Sequence, residues 1–259
     1  MVLEANLVEI FSSVQGEGPW VGASTLFVRL GACDLRCRWC DSPHTWKPAA
    51  ACRIECERGS GRFETRPNPV PLEVALAAAR SLDAGAHRFA SLTGGEPLLQ
   101  PEATAELARG LRALGPEIHL ETHGLAVGAL RHVLPTIDVV SMDWKLASDV
   151  RRADAQRGAP PSSFDAEHAA FLEVARSAPA VVVKVVVTTG SGDDEIARVV
   201  DAVARIAPDA TLVLQPVTPS GPVRERPAAA RMLQLAAAAE RRLRDVRVIP
   251  QTHPVYGAP

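Results

Sequence analysis

This sequence has no long hydrophobic segment, little net charge, and no cysteine in its second half. The longest apolar run, residues 181–187, is interrupted by Lys184 and is far shorter than the ~20 residues that span a bilayer. The formal net charge is −2, so charge does not favour binding to nucleic acid or to an anionic membrane. The first ten residues lack the basic and apolar regions of a signal peptide, so we expect a cytoplasmic protein.

All five cysteines lie between Cys33 and Cys56. An odd, clustered set of thiols is typical of ligands or catalysts in a reducing compartment rather than of a disulfide framework. The 259 residues contain no internal repeat and no low-complexity tail. This length is compatible with one domain, residues 1–259, built around one core.

Runs rich in β-branched residues alternate with helical stretches from about residue 25 onward. The predicted strands are 25–30, 88–92, 117–121, 137–141, 180–188, 211–215 and a short last one at 246–249. The predicted helices lie near 71–82, 101–114, 126–133, 163–176, 193–206 and 227–244. This alternation predicts a parallel sheet with crossover helices. Six such units predict an α/β fold, a partial (βα)6 barrel, with 47–70 as a surface insertion after the cysteine loop.

Glycines and polar residues follow most of the predicted strands. They are Cys33 after the first strand, residues 94–96 after the second, 121–124 after the third, 141–145 after the fourth and Gln215 after the sixth. In barrels of this kind, chemistry is located at the C-terminal ends of the strands. We therefore expect these groups to form one site.

The most specific pattern is a group of three cysteines, Cys33, Cys37 and Cys40, with Cys-x-x-x-Cys-x-x-Cys spacing. Soft thiolates suit an iron–sulfur cluster or zinc. Three ligands on a four-iron cluster leave one iron open to an external chelate. The alternative is a closed zinc site in a non-enzymatic binding module, with Cys52 or Cys56 as the fourth ligand. Otherwise we expect neither Cys52 nor Cys56 to be needed for catalysis.

The cysteine loop resembles the signature of the radical S-adenosylmethionine superfamily, in which an aromatic residue precedes the last cysteine. Trp39 fills that place. The segment 93–97, Thr-Gly-Gly-Glu-Pro, is similar to the Gly-Gly-Glu segment of the same superfamily. The resemblance implies a [4Fe–4S] cluster and S-adenosylmethionine as cofactors. It also implies an external one-electron reductant of the flavodoxin or ferredoxin type.

Both ends of the chain narrow the resemblance to one family. Residues 9–18, Glu-Ile-Phe-Ser-Ser-Val-Gln-Gly-Glu-Gly, precede 27–30, and Pro250-Gln-Thr-His253 leads into the final residues. Together with Cys40-Asp41-Ser42, these motifs resemble the 7-carboxy-7-deazaguanine synthases of queuosine and deazapurine biosynthesis. The likeness covers nearly the whole chain apart from 47–70. It implies a lyase, commonly a homodimer, whose 245–259 tail completes the substrate pocket.

The family's reaction converts 6-carboxy-5,6,7,8-tetrahydropterin to 7-carboxy-7-deazaguanine with release of ammonia. The cofactors supply the radical, so no protein acid or base is implied. The resemblance assigns to S-adenosylmethionine the residues Trp39, Asp41, Gly95, Glu96, Glu121, Ser141, Asp143, Lys145, Lys184 and Gln215. It assigns to the substrate Val14, Gln15, Gly16, Glu17, Arg29, Thr93, His253 and Pro259. The guanidinium of Arg29 has the fork geometry that suits the substrate carboxylate.

Ser42 occupies the place where the family has a hydroxyl ligand for Mg²⁺, an ion that prefers oxygen ligands. The family usually has threonine there. Two other departures are residues 141–145, Ser-Met-Asp-Trp-Lys, in place of a shorter Ser-Pro-Lys, and Pro254 where lysine is usual. A second alternative is an activase that takes hydrogen from a glycine of a partner enzyme. The Gln-Gly-Glu-Gly and Pro-Gln-Thr-His segments argue against that alternative.

Overall fold

The computed structural model describes residues 2–156, 158, 160–255 and 257. A mixed β-sheet forms the centre of the molecule. The strands are β1 (Glu4–Ala5), β2 (Leu7–Val14), β3 (Ser24–Leu30), β4 (Leu35–Cys37), β5 (Ala51–Glu55), β6 (Phe63–Pro67), β7 (Val70–Pro71), β8 (Phe89–Gly94), β9 (Glu117–Thr122), β10 (Val139–Asp143), β11 (Val150–Arg152), β12 (Ala180–Val187), β13 (Thr211–Pro216) and β14 (Val246–Val248). The helices are α1 (Leu72–Ser81), α2 (Pro101–Arg112), α3 (Val127–Val133), α4 (Asp165–Ala175), α5 (Asp193–Ile206) and α6 (Ala229–Ala239).

The predicted βα units are confirmed. The sheet order is β14-β13-β12-β10-β9-β8-β3-β2-β5-β6, and every neighbouring pair from β3 to β14 is parallel. One helix from α1 to α6 precedes each of β8, β9, β10, β12, β13 and β14. The sheet is open, with β14 at one edge and β6 at the other. The predicted partial barrel agrees with this open arrangement.

The edge of the sheet beyond β3 contains three strands that the sequence analysis did not predict, β2, β5 and β6. Strand β2 pairs antiparallel with β3 and parallel with β5, and β5 pairs antiparallel with β6. The segment 47–70 thus contributes a hairpin, β5 and β6, to the sheet. The outer strand β6 is mostly exposed and carries Glu64 and Arg66, and such charged residues are typical of edge strands because they discourage pairing with other chains.

The helices cover the apolar face of the sheet. Helix α5 shows the pattern clearly, because Ile196, Val199, Val200 and Val203 are buried at i, i+3, i+4 and i+7. They pack in one core with alternate residues of the strands, such as Val183 and Val185 of β12. In the described residues, no helix has both the length and the apolar character needed to cross a bilayer.

Candidate active site

A cavity of about 510 Å³ lies at the C-terminal ends of the parallel strands. This volume is within the range of about 300–1,000 Å³ that small-molecule sites occupy. Its walls come from the end of β2, the cysteine loop after β3, the ends of β8, β9, β10 and β13, the middle of β12, and the C-terminal segment. The expectation that the polar groups after the strands converge on one site agrees with this geometry.

The polar wall of the cavity follows the period-two pattern of the strands. Alternate residues of a strand point to opposite faces of a sheet. Leu120 of β9 and Met142 of β10 are in the core beneath the helices. His119 and Glu121 on β9, and Ser141 on β10, line the cavity. One face of the same strands therefore builds the core while the other builds the site.

The cysteine loop is fixed by a short second sheet. Strand β4 pairs antiparallel with β11, with Cys37 opposite Val150. The backbone N–H of Cys40 donates to the carbonyl of Cys37 at 3.3 Å, which closes a turn. The hydroxyl of Ser220 donates to the carbonyl of Cys40 at 3.1 Å. These contacts hold the loop from which Cys33, Cys37 and Cys40 line the cavity.

The three thiols of this loop are free, and burial makes them poor thiolates by themselves. Burial raises the pKa of Cys33 to about 11 and that of Cys37 to about 12, and it also raises the pKa of Cys40. Metal ions bind thiolates and displace their protons. Three soft sulfur donors that stay neutral without a metal are suited to a cationic cluster and unsuited to act as nucleophiles.

Cys52 and Cys56 do not belong to the cavity wall in the described part of the chain. Cys52 is buried in β5, where its thiol contacts the carbonyl of Arg53, and Cys56 is exposed after that strand. The zinc alternative needed one of them as a fourth ligand beside the cysteine loop. Their positions give that alternative no support.

The Gly-Gly-Glu segment packs backbone against backbone. A Cβ atom on Gly95 would lie 2.1 Å from the carbonyl oxygen of Ala32, so only glycine fits there. Glu96 N–H donates to that oxygen at 2.8 Å. We expected the glycine to approach a ligand. In the structure, the close contact that requires glycine is the one between Gly95 and the backbone of Ala32, next to the cysteine loop.

Glu96 takes a different position from the one the resemblance implied. Its side chain is fully buried, and Glu96 is not among the described residues that line the cavity. The carboxylate accepts from the N–H of Leu98 at 3.0 Å, the hydroxyl of Thr122 at 2.7 Å and the N–H of His123 at 2.8 Å. All its oxygens have protein partners, so Glu96 joins the loops after β8 and β9.

A network of largely buried charges lines the cavity. The ammonium of Lys145 contacts Asp143 at 2.6 Å, and Lys184 contacts Asp143 at 3.0 Å and also Glu17. Burial alone would lower the pKa of either lysine, but these carboxylates raise both above their usual value. Burial would raise the pKa of Asp143, but the two lysines lower it. All three groups are therefore charged at neutral pH. Lys145 also lies 4.6 Å above the ring of Trp39.

Glu121 is at the centre of a second network. Its carboxylate accepts from Gln15 Nε2 at 2.9 Å, from Ser91 at 2.8 Å and from Thr93 at 3.0 Å. Burial raises its pKa, but the ammonium of Lys184 and the hydrogen bonds from Gln15 and Ser91 produce a net lowering. The hydroxyl of Thr93 is used as a donor to Glu121, so toward a ligand it can only accept.

The C-terminal segment packs against the loop after β2. Thr252 N–H donates to the carbonyl of Gly16 at 2.9 Å. A Cβ on Gly16 would lie 2.5 Å from Nδ1 of His253, so the close contact requires glycine. The amide of Gln251 donates to Glu17 at 2.6 Å and to Asp41 at 3.0 Å. The segment thus connects the β2 loop to the cysteine loop across the cavity.

Arg29 enters the cavity from β3 already paired. Its Nε donates to Glu9 at 2.8 Å, and Arg53 lies 3.7 Å from the other oxygen of the same carboxylate. This pairing fixes the guanidinium plane through Nε. The two terminal nitrogens form the edge that could meet an anionic group in the fork geometry of arginine and carboxylate.

Two oxygen-bearing side chains, Asp41 and Ser42, lie side by side after the cysteine loop. The hydroxyl of Ser42 donates to Asp41 at 3.0 Å, and both residues line the cavity. A hydroxyl and a carboxylate are suitable ligands for Mg²⁺.

Several buried polar atoms in the described residues have no protein partner. They include the indole N–H of Trp39 and the amide oxygen of Gln215, and both side chains line the cavity. Buried polar groups are nearly always hydrogen-bonded. Trp39 and Gln215 thus bring a buried donor and a buried acceptor without protein partners to the wall of the cavity.

Most of the predicted site residues line this one cavity. They are Cys33, Cys37, Cys40, Trp39, Asp41, Ser42, Gly95, Glu121, Ser141, Asp143, Lys145, Lys184, Gln215, Val14, Gln15, Gly16, Glu17, Arg29, Thr93 and His253. Glu96 does not, and Pro259 lies outside the described residues.

Sequence reasoning missed several residues of the site. Glu9, Ser91 and His119 were assigned no role, although each contacts a predicted site residue. Gln251 was noted only as part of a motif. Alternation along a strand was the available signal, because Ser91 and His119 each lie two residues before a predicted site residue, Thr93 and Glu121 respectively.

Comparisons with known proteins agree with this geometry. The family profile of the Radical SAM superfamily matches residues 28–203. A 7-carboxy-7-deazaguanine synthase of Geobacter sulfurreducens is 38% identical over 98% of this chain and 97% of its own length. The synthase of Methanothermobacter thermautotrophicus is 31% identical over 99% of each chain. The crystal structure of QueE from Escherichia coli, at 20% identity, has a TM-score of 0.60 over 96% of this chain and 95% of that one, which supports the fold.

Proposed function

The chain belongs to the 7-carboxy-7-deazaguanine synthase family of the radical SAM superfamily, and we propose that the cavity at the C-terminal ends of its strands is the active site. The family resemblance inferred from the motifs is thereby confirmed. The enzyme makes 7-carboxy-7-deazaguanine, and we propose 6-carboxy-5,6,7,8-tetrahydropterin as the substrate, with ammonia as the second product. The observation that carries the proposal is the convergence of three free thiols and the two polar networks on one cavity.

The cysteine loop suits the [4Fe–4S] cluster that the superfamily implies. Cys33, Cys37 and Cys40 would hold it, and Trp39 and Gln215, which line the same cavity, would contact S-adenosylmethionine. When bound, the reduced cluster and S-adenosylmethionine supply the radical that removes hydrogen from the substrate. The protein residues orient the ligands and exclude water. None of them is needed as an acid or base for that step.

The substrate side of the cavity has the polar groups that a pterin carboxylate requires. Arg29, held by Glu9, offers its terminal nitrogens to the carboxylate. Gln15 and Thr93 offer acceptors toward the N–H groups of the pterin. The C-terminal segment would complete the pocket with Gln251 and His253, which both line the cavity.

Magnesium is a further part of the proposal. Ser42 with Asp41 would bind Mg²⁺, which keeps water and substrate oxygens in its remaining positions. We expect Ser42→Ala to raise the Mg²⁺ concentration needed for half-maximal activity. An unchanged Mg²⁺ dependence would contradict this assignment. A cytoplasmic location, a homodimer and a flavodoxin- or ferredoxin-type reductant stay predictions, and light scattering of the purified protein tests the dimer.

The experiment that tests the proposed function is anaerobic turnover of the iron-loaded protein. Reduced protein is incubated with S-adenosylmethionine and 6-carboxy-5,6,7,8-tetrahydropterin, and the product is identified by mass. Cys37→Ala is expected to lose bound iron, visible absorption and turnover. Cys56→Ser, an exposed thiol outside the cavity, is the matched control and should retain all three. An intact cluster without deazaguanine product would refute the substrate assignment.

A further inference from the structure

His119 lies between two residues that are assigned to different ligands. It is on β9 and lines the cavity, and its side chain is buried. Its ring packs against the rings of Trp20 and Phe89, with centroid distances of 5.7 and 5.6 Å. Its Nδ1 lies 3.4 Å from Gln15 Nε2, and its Nε2 lies 2.7 Å from Ser141 Oγ. The imidazole thus bridges the β2 loop and β10.

The side-chain amide of Gln15 has only one orientation that satisfies its neighbours. Its Nε2 lies 2.9 Å from a carboxylate oxygen of Glu121, and its Oε1 lies 3.1 Å from the backbone N–H of Glu17. A carboxylate accepts and a backbone N–H donates. The NH₂ group therefore faces Glu121, and its second hydrogen faces His119 Nδ1. That ring nitrogen must be the acceptor.

The hydrogen of the imidazole is consequently on Nε2. Burial lowers the pKa of His119 and the nearby Lys184 lowers it further, while Glu121 opposes this change, and the net shift is downward. The neutral ring has one N–H, which donates to Ser141 Oγ. The hydroxyl hydrogen of Ser141 then points to another acceptor, and this hydroxyl lines the cavity.

We infer that His119 is a positioning residue whose Nε2–H makes Ser141 a hydrogen-bond donor toward the cavity, and whose Nδ1 adds a third contact to the Gln15 amide in the orientation that Glu121 and Glu17 set. This inference rests on the proposed function, in which Ser141 faces S-adenosylmethionine and Gln15 faces the pterin. Ser141 would meet an oxygen acceptor of the cofactor, such as a ribose or carboxylate oxygen. The Gln15 carbonyl would meet an N–H group of the pterin. His119 itself contacts neither.

Two substitutions separate the two ends of the imidazole. In His119→Asn, the amide oxygen can take the place of Nδ1 and keep the Gln15 contact, while the contact with Ser141 is lost. In His119→Gln, the longer amide can donate from the place of Nε2 to Ser141, while the contact with Gln15 is lost. His119→Phe keeps the ring packing and loses both contacts. Unfolding midpoints of all three variants check that the fold is retained.

The dissociation constants of S-adenosylmethionine and of the pterin are measured separately on iron-loaded protein under anaerobic conditions. Loss of one positioning hydrogen bond corresponds to a roughly threefold to tenfold weaker affinity. His119→Asn should weaken the binding of S-adenosylmethionine by that factor and leave the affinity for the pterin nearly unchanged. His119→Gln should show the opposite, and His119→Phe should weaken both. In the Ser141→Ala background, His119→Asn should have no further effect on S-adenosylmethionine, since coupled residues are not additive.

Two results would overturn the inference. One is that His119→Phe binds both ligands like the wild type. The other is that His119→Asn and His119→Gln weaken both ligands equally, which indicates a general packing role. Failure of the proposed function is distinguishable from either, because the wild type would then bind S-adenosylmethionine without making deazaguanine. In that case the comparison of His119→Asn with wild type for S-adenosylmethionine still decides the role of His119 at Ser141.

Discussion

Glu96 provides the sharpest separation between a structural role and a ligand role. Its side chain is fully buried, and its carboxylate accepts three hydrogen bonds, from Leu98, Thr122 and His123. A hydrogen bond to a charged group contributes about 1.5–3 kcal/mol, and removing one partner of a buried charged network typically costs about 3–5 kcal/mol. We expect Glu96→Ala to lower the free energy of unfolding by about 3–5 kcal/mol. That loss is a large part of the about 5–15 kcal/mol that stabilises a typical protein.

A milder variant keeps the test decisive if the alanine variant does not fold. Glu96→Gln retains the shape but places an NH₂ group against one of the donors, and we expect a loss of about 1–3 kcal/mol. Unfolding by denaturant is followed without air, and the affinity for S-adenosylmethionine is measured on the same samples. The control is Glu106→Ala, because Glu106 forms an exposed ion pair with Arg109, and such pairs contribute at most about 1 kcal/mol. Wild-type stability with a much weaker affinity for S-adenosylmethionine would refute the structural role.

Three further predictions concern other parts of the site. Gly95→Ala places a Cβ 2.1 Å from the carbonyl oxygen of Ala32, so we expect a stability loss of about 1–3 kcal/mol and less bound iron after reconstitution. Burial lowers the pKa of His168 from 6.5 to about 3, so between these pH values the unfolded state binds a proton that the folded state excludes. The free energy of unfolding should therefore fall as the pH drops from 6.5 toward 3, by up to about 1.4 kcal/mol per pH unit. His168→Asn should flatten that slope. Gln251→Ala removes contacts to two cavity carboxylates, and KM for the pterin should rise by about threefold to tenfold.

Each of these predictions has a matched control in the chain. Gly128 in α3 has open space around its Cβ position, so Gly128→Ala should be neutral or stabilise by up to about 1 kcal/mol. His132 is exposed on the same helix, and His132→Asn should leave the pH slope unchanged. Gln234 is exposed on α6, and Gln234→Ala should leave KM unchanged. If a control variant changes the measured quantity as much as its test variant does, the corresponding reasoning is contradicted.

The repeated βα units could be predicted from the sequence because most of their strands are short hydrophobic runs and the helices between them carry apolar residues at helical spacing. The eight-residue run of β12, seven valines or alanines around Lys184, is an example. The strand β2 and the hairpin of β5 and β6 could not be predicted in this way. Strand β6 is mostly exposed and charged, so it has no hydrophobic pattern. Its pairing with β5 depends on tertiary contacts that a local pattern does not show.

The site was predictable where a residue belongs to a motif and obscure where it acts through a neighbour. The cysteines and the Gln-Gly-Glu-Gly segment are short patterns of specific residue types. His119 belongs to no motif, and its role depends on the orientation of Gln15, which in turn depends on Glu17 and Glu121. Glu96 shows the converse. A motif places it in the site, yet its carboxylate is used by backbone groups of the adjoining loops.

The charges of the cavity are arranged in internal pairs before any ligand binds. Asp143 is held by Lys145 and Lys184, Glu17 by Lys184, and Arg29 by Glu9. Because these contacts fix the side chains beforehand, ligand binding requires little rearrangement, which is the basis of electrostatic preorganisation. The same pairing leaves few donors and acceptors without partners. Selectivity therefore depends on the small set of groups that still face the cavity, such as the terminal nitrogens of Arg29, whose orientation is set by Glu9.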